Sequence, residues 1–281
     1  MTIIEAILLG IIQGITEFLP ISSTAHLTLA GKLMNLVDTT SPESWTAFIA
    51  MMQLGTAGSI LIYFWKDYIN LARGVVNDVK NRRLSSLKSC SFESRLALYI
   101  IIGTIPVAFI GFLFHEFIEG TFTKETSTIA TSLIALAILL TIAEKISSRK
   151  RNEFQTTWLD ALVVGIAQVV ALIPGSSRSG TTITAGLFMG LDRETAARFS
   201  FHLSIPAILA SGFFQMYQSF IHLSDIDYLP LIISTIVSGI VGYISISFLL
   251  YYLRKNSTLI FILYRIVLGL ILWTLIMSGL M

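Results

Sequence analysis

Residues 10–26 read GIIQGITEFLPISSTAH, and residues 168–182 read QVVALIPGSSRSGTT. Each begins as an apolar helical pattern, breaks at a proline and resumes with a run of hydroxyl side chains. The first break carries Glu17 and His26, the second Arg178. Both lie in sequence suited to hydrocarbon, where an arginine or carboxylate at the centre of a helix costs about 2.5–3.5 kcal/mol even on lenient insertion scales. Such groups are expected to serve a purpose at these positions.

The surrounding composition sets the class. Apolar residues make up 54% of the chain and charged residues only 13%, against about 25% charge in a soluble domain. The mean hydropathy is +0.78. Several stretches approach the roughly 20 residues that cross a bilayer, so the sequence predicts an all-α polytopic membrane protein. The short alternating segments of a membrane β-barrel are not seen. The first twenty residues lack a basic leader and a small-residue cleavage site, and Met1 is the expected start of the mature chain. Cys90 is the single cysteine, which excludes an internal disulfide and a cysteine-based metal site. No segment resembles a nucleic-acid-binding module, so no nucleic acid partner is expected.

Six spans are expected near 45–65, 96–118, 126–146, 198–220, 229–253 and 258–280. The segments 5–36 and 158–191 are apolar but interrupted, at Pro20 and at Pro174-Gly175. The connection 66–95 holds Lys66, Arg73, Lys80, Arg82, Arg83, Lys88 and Arg95, and 145–157 holds Lys145, Arg149, Lys150 and Arg151. Arg254 and Lys255 mark a third basic turn. By contrast 221–228 has Asp225 and Asp227 and no Lys or Arg, and 119–125 has only Lys124. The positive-inside rule places the basic turns in the cytoplasm and the other two outside. The chain is then on the inner side before and after 158–191, and on the outer side before and after 5–36. Each broken segment must dip in and return, as a re-entrant helical hairpin, and the two enter from opposite faces.

The hairpins also resemble one another. Glu5-Ala6 against Asp160-Ala161, Gly10 against Gly165 and Gln13 against Gln168 are 155 residues apart. Pro20, Ser22 and Ser23 against Pro174, Ser176 and Ser177 are 154 apart, as if one residue were skipped at the break. A hairpin followed by three spans, repeated upside down, is an inverted-topology repeat. The expected halves of the one membrane domain are 1–151 and 152–281.

Each hairpin would bring the N-terminus of a half-helix to the bilayer midplane, with unpaired N–H groups and the positive end of the helix dipole. Helix N-termini bind anions, phosphate above all. Ser22, Ser23, Thr24, Ser176 and Ser177 are good caps and further donors. Arg178 offers a fixed charge and two-pronged geometry for phosphate oxygens. Gln13 and Glu17 share a helix face, and His26 lies three residues beyond Ser23. Hydroxyl, imidazole and carboxylate near one break make a nucleophile–base–orienter set, or hard ligands holding a divalent cation against phosphate. The serines and threonines alone would be explained by close helix packing; Arg178, Glu17 and His26 would not. His115, Glu116 and His222 sit where snorkelling explains them. His202 fits a core or a supporting position, Met51 and Met52 fit packing, and Arg265, beside Tyr264, has no evident countercharge.

The stretch at 10–26, MMQLGT at 51–56, PGSSRSGTTI at 174–183, FSFHLSIPAI at 199–208 and the Tyr264-Arg265 pair resemble the undecaprenyl-pyrophosphate phosphatase family of the bacitracin-resistance type, nearly end to end. The family's acidic motif falls on Gln13 and Glu17, its Ser-Ser-Thr-x-His element on Ser22, Ser23, Thr24 and His26, and its Pro-Gly-x-Ser-Arg-Ser-Gly element on Pro174 to Gly180, with Thr182 just after. Many members carry glutamate in place of Gln13 and glycine in place of Ala25. The resemblance implies hydrolysis of a polyprenyl pyrophosphate to the monophosphate and inorganic phosphate, recycling the lipid carrier of peptidoglycan synthesis and conferring bacitracin resistance. It implies a site in the bacterial cell membrane open to the outer face, a Mg²⁺ or Ca²⁺ cofactor with Glu17 as ligand, and a homodimer among membrane lipids.

On this reading Ser23, His26 and Glu17 are the catalytic candidates. Arg178, Ser176, Ser177, Ser179, Thr182, Ser22, Thr24 and Gln13 bind substrate. Ser23 attacks the terminal phosphorus with His26 or Glu17 taking its proton; a phosphohistidine at His26 and direct attack by water remain alternatives. A rival class is a transporter of a polyprenyl phosphate or another anion, since inverted repeats with half-helix tips at the midplane are typical of transporters. Transport alone does not require the Ser23–His26–Glu17 cluster.

Overall fold

The computed structural model describes residues 1–36, 42–82, 87, 89–114, 125–222 and 228–279. Lys124, Asp225 and Asp227 of the expected outer turns, together with Arg83, Lys88, His115, Glu116 and the side chain of His222, fall outside them. Eleven α-helices occur among the described residues, with no strand beyond one isolated backbone bridge between Arg151 and Leu191. In chain order they are α1 (Ile3–Thr16), α2 (Ser23–Leu33), α3 (Pro42–Tyr63), α4 (Trp65–Lys80), α5 (Phe92–Leu113), α6 (Thr126–Ile146), α7 (Trp158–Val170), α8 (Arg178–Phe188), α9 (Arg193–His222), α10 (Tyr228–Leu253) and α11 (Leu259–Met277). The helices α3, α5, α6, α9, α10 and α11 are long and apolar enough to cross a membrane, matching the six expected spans.

The two interrupted segments are pairs of short helices. At 14 and 13 residues, α1 and α7 are about 20 Å long, short of a hydrocarbon core about 30 Å thick. Both start on the same device. The Thr2 hydroxyl accepts from Glu5 N while Glu5 Oε2 accepts from Thr2 N (2.7 Å); Thr157 and Asp160 repeat this capping box 155 residues later. Asp160 is further held by Arg151, whose Nη2 lies 2.6 Å from Oδ2, and Arg151 Nη1 also donates to the Met189 carbonyl at 2.8 Å. One guanidinium thus ties the start of α7 to the end of α8, and the pair is a hairpin whose ends meet.

The packing repeats as well. α1 packs on α10 and α7 on α5; α3 packs on α10 and α9 on α5; α3 meets α9, and α6 meets α11. Gly10 lets α1 approach α10 so closely that a Cβ would lie 2.7 Å from the Ser234 carbonyl, and Gly165 admits the Gly103 backbone of α5 in the same way. At the breaks the structure corrects the sequence register. The residue that caps α2 is Ser22 (φ 76°), its hydroxyl accepting from Ala25 N at 3.3 Å. The residue that caps α8 is Ser177 (φ 70°), accepting from Gly180 N at 3.1 Å. Ser22 therefore matches Ser177, and Ser23 matches Arg178, at the same 155-residue spacing as the helices before them. The one-residue skip followed the two prolines, whereas equivalence is set by which serine takes the left-handed turn.

A second correction concerns 66–95, expected as a basic loop. Its first half, 66–80, lies in α4, with Trp65, Ile69, Val76 and Val79 exposed beside Lys66, Arg73 and Lys80. Its charge excludes a span but not an amphipathic helix. The largest apolar cluster among the described residues gathers Phe18 of the first break, Phe64 after α3, Ile183 and Leu187 of α8, Phe201 of α9 and Leu249 of α10. The rings of Phe18 and Phe201 meet edge to face at 5.2 Å, which anchors the residue after Glu17 to α9.

Candidate active site

The two breaks converge on Glu17, which caps the end of α1 and is 6% exposed. Both oxygens of its carboxylate have partners. Oε2 accepts from Gln13 Nε2 at 3.0 Å and from Ser23 Oγ at 2.7 Å. Oε1 pairs with Arg178 Nη2. Gln13 comes from the last turn of α1, Ser23 from the first of α2, and Arg178 from the first of α8, 161 residues away from Glu17 in the chain. Arg178 is held on its other side by the Ser204 carbonyl of α9, at 3.1 Å from Nη1.

The remaining serines and threonines divide by role. Ser177 and Ser22 hold the two turns, as above. Ser179 Oγ sits 3.2 Å from Ser177 Oγ and donates to the Leu19 carbonyl at 3.1 Å, stitching one break to the other. Thr182 lies behind Arg178, its hydroxyl 2.7 Å from the Arg178 carbonyl and 2.6 Å from Ser200 Oγ. Thr24 is half-buried in the first turn of α2. Ser176 faces elsewhere. Its fully buried hydroxyl has no partner among the described residues, and it lines a groove of about 370 Å³ with Ser127, Thr131, Ser132 and Ile173.

His26 is not part of the Ser23–Glu17 contact. Its Nδ1 lies 2.7 Å from the Ser22 carbonyl and its Nε2 lies 2.6 Å from the Tyr264 hydroxyl, with the two rings stacked at 5.6 Å. A nitrogen facing a carbonyl must carry a proton, so in the neutral ring Nε2 accepts from Tyr264. The expected three-member set is therefore two pairs, Ser23 with Glu17 and His26 with Tyr264.

Arg265 is the residue whose part the sequence left unexplained. It is completely buried in α11 and donates to carbonyls on both sides of the site. These are Pro20 at 3.2 Å in the first break, Gly175 at 3.3 Å and Ser176 at 2.9 Å in the second, and Leu133 at 3.2 Å and Ser132 at 3.5 Å on α6. Its Nη1 lies where a Cβ on Gly180 would be, 2.6 Å away, so glycine there makes room for the guanidinium. A charge in an apolar span signalled importance; the carbonyls it gathers come from segments far apart in the chain.

A divalent cation prefers hard oxygen donors. Glu17 and the buried Gln13 Oε1, which has no partner among the described residues, fit such an ion when substrate phosphates supply the rest. No group of three or more His, Cys, Asp or Glu able to hold a metal by themselves occurs among the described residues.

Residues 6–271 match the family described as bacitracin resistance protein BacA. The chain is similar to a protein named undecaprenyl-diphosphatase from Syntrophobacter fumaroxidans, 50% identical over 280 residues and covering 99% of both chains. Proteins of the same name from Chlorobium phaeobacteroides and Chlorobium limicola are 46% and 47% identical, over 99% and 96% of this chain and 99% and 95% of theirs.

Proposed function

The chain belongs to the bacitracin resistance protein BacA family, and on that premise we propose that it is an undecaprenyl-diphosphatase that hydrolyses the lipid pyrophosphate to the monophosphate and inorganic phosphate. It is a multi-pass membrane enzyme that returns the lipid carrier to use in peptidoglycan synthesis. The observation that carries the mechanism is the meeting of Ser23, Glu17 and Arg178 from three helix ends.

In this mechanism the Ser23 hydroxyl, already donating to Glu17 Oε2 at 2.7 Å, attacks the terminal phosphorus. Glu17 takes the proton, the new Ser23 O–P bond forms, and the bridging P–O bond breaks to release undecaprenyl monophosphate. Glu17 passes this proton to the departing monophosphate; water then attacks the phosphoserine, Glu17 takes the water's proton and returns it to Ser23 Oγ as the Ser23 O–P bond breaks, and inorganic phosphate leaves. Arg178 moves from Glu17 onto the phosphate oxygens, a short shift because both sit at the same junction. The N-termini of α2 and α8 add aligned N–H dipoles where charge builds up, which is most of what phosphoryl transfer asks of a protein. Gln13 keeps Glu17 turned toward Ser23. A Mg²⁺ or Ca²⁺ ion held by Glu17 and Gln13 Oε1 would neutralise phosphate charge.

The hairpins α1–α2 and α7–α8 re-enter the membrane from opposite faces in this reading, within an inverted repeat of residues 1–151 and 152–281. The matched capping boxes, turns and packing partners support it. The site then lies near the midplane of the bacterial inner membrane and opens outward, with the prenyl chain among the spans. A homodimer is compatible with it.

The test is phosphate release from undecaprenyl pyrophosphate by purified, metal-stripped protein, with and without Mg²⁺ or Ca²⁺, beside Arg178→Ala and Ser23→Ala. Metal-stimulated release that both substitutions abolish is expected. Binding of the lipid without release under any metal would overturn the enzyme in favour of a transporter.

A further inference from the structure

Gln168 stands in the last turn of α7, just before the second break. Its side chain is 1% exposed, and neither Oε1 nor Nε2 has a hydrogen-bond partner among the described residues. Burying a primary amide with both ends unmatched is expensive, and the fold does not require an amide here. Its backbone does the ordinary work of a helix end, the carbonyl accepting from Ala171 N at 3.1 Å.

The repeat explains how the amide comes to be free. Gln13 holds the same place in the first half, 155 residues earlier, and each glutamine lies nine residues before the serine that caps the next helix. Gln13 Nε2 donates to Glu17, four residues on, at 3.0 Å. Four residues beyond Gln168 stands Leu172, which has no acceptor. The position matching Ser23 is Arg178, which reaches across to Glu17. The first half thus brings the carboxylate and the hydroxyl, and the second the guanidinium and an amide relieved of its intramolecular partner. The packing of α1 on α10 and of α7 on α5 places the two glutamines on corresponding helix pairs. Gln13 is already in the site, through Glu17 and Ser23.

From this we propose that Gln168 binds substrate, its Nε2–H donating to a phosphoryl oxygen of the pyrophosphate on the Arg178 side. It is the neutral counterpart of Arg178, as Gln13 is of Glu17. The inference rests on the diphosphatase reading and adds a ligand to the site that the sequence motifs do not mark.

Gln168→Leu tests it, because leucine nearly preserves the volume and removes both unpartnered atoms. An idle amide would leave activity unchanged. A substrate-binding amide predicts a variant with a thermal transition as high as wild type or higher, yet with kcat/KM for undecaprenyl pyrophosphate lower by about 10- to 100-fold, the effect of one hydrogen bond to a charged oxygen. Inhibition by inorganic pyrophosphate should weaken in step. Gln168→Glu, similar in shape but anionic, should lose more. Wild-type kcat/KM in either variant overturns the proposal. So does a Gln168→Leu protein with no thermal transition, since an amide reserved for substrate contributes nothing to the empty fold. Failure of wild-type protein to release phosphate overturns the diphosphatase reading instead, so the two failures are distinguishable.

Discussion

Arg265→Leu should disable the enzyme although, by its contacts, Arg265 serves the site only by positioning it. The guanidinium joins the Pro20 carbonyl of one break to the Gly175 and Ser176 carbonyls of the other. Leucine would leave three buried carbonyls unmatched, at about 1–3 kcal/mol each. Removing a desolvated cation returns several kcal/mol, so the net loss of stability is expected at about 2–4 kcal/mol. The loss of activity should be larger. The bridge fixes the spacing between Ser23 on one tip and Arg178 on the other, and a displacement of about 1 Å at reacting groups costs on the order of 100-fold. Phosphate release and thermal melting would be measured on purified Arg265→Leu and Arg265→Lys. Lysine keeps the charge but, as a compact point charge on a flexible stem, cannot span carbonyls on both breaks and on α6. It should stay within a few-fold of the leucine variant, on the order of 100-fold below wild type. Near-wild-type activity in Arg265→Lys would refute the bridging argument and leave only long-range electrostatics. Near-wild-type activity in Arg265→Leu would refute both.

Tyr264→Phe keeps the ring stacked on His26 but removes the 2.6 Å hydroxyl contact. It should cost about 1 kcal/mol, less than tenfold in kcat/KM, and the double variant with His26→Gln should lose little beyond His26→Gln alone in a double-mutant cycle, because both remove one interaction. Gly10→Ala and Gly165→Ala should each lower the thermal transition by an amount equivalent to about 1–3 kcal/mol. Their effects should be similar, since each forces a methyl into the backbone of the facing helix; a neutral result for one and not the other would count against the matched packing.

Much of this protein is written locally. A run of about 20 apolar residues crosses hydrocarbon whatever its neighbours do, so the six spans could be read directly. Proline followed by a run of hydroxyl residues located both breaks, Glu17, Ser23 and Arg178 included; proline alone would not have, since Pro106 and Pro206 lie inside the unbroken helices α5 and α9. Local reading stopped where pairing over distance begins. Whether Ser23 gives its proton to Glu17 or to His26 depends on how α2 is turned against α1 and α11, and the structure turns His26 toward Tyr264, 238 residues away. Equivalence of the two halves depends on which serine adopts a positive φ, and two adjacent serines look alike in a string of letters. The amphipathic α4 was hidden by its own charge, since seven basic residues between 66 and 95 mark a side of the membrane without saying whether the segment is folded. Arg265 shows the limit most plainly. Its cost in an apolar span is legible from sequence, but the carbonyls that offset it come from Pro20, Leu133, Gly175 and Ser176. Backbone carbonyls are identical at every residue, so only the tertiary structure decides which of them a buried charge will find.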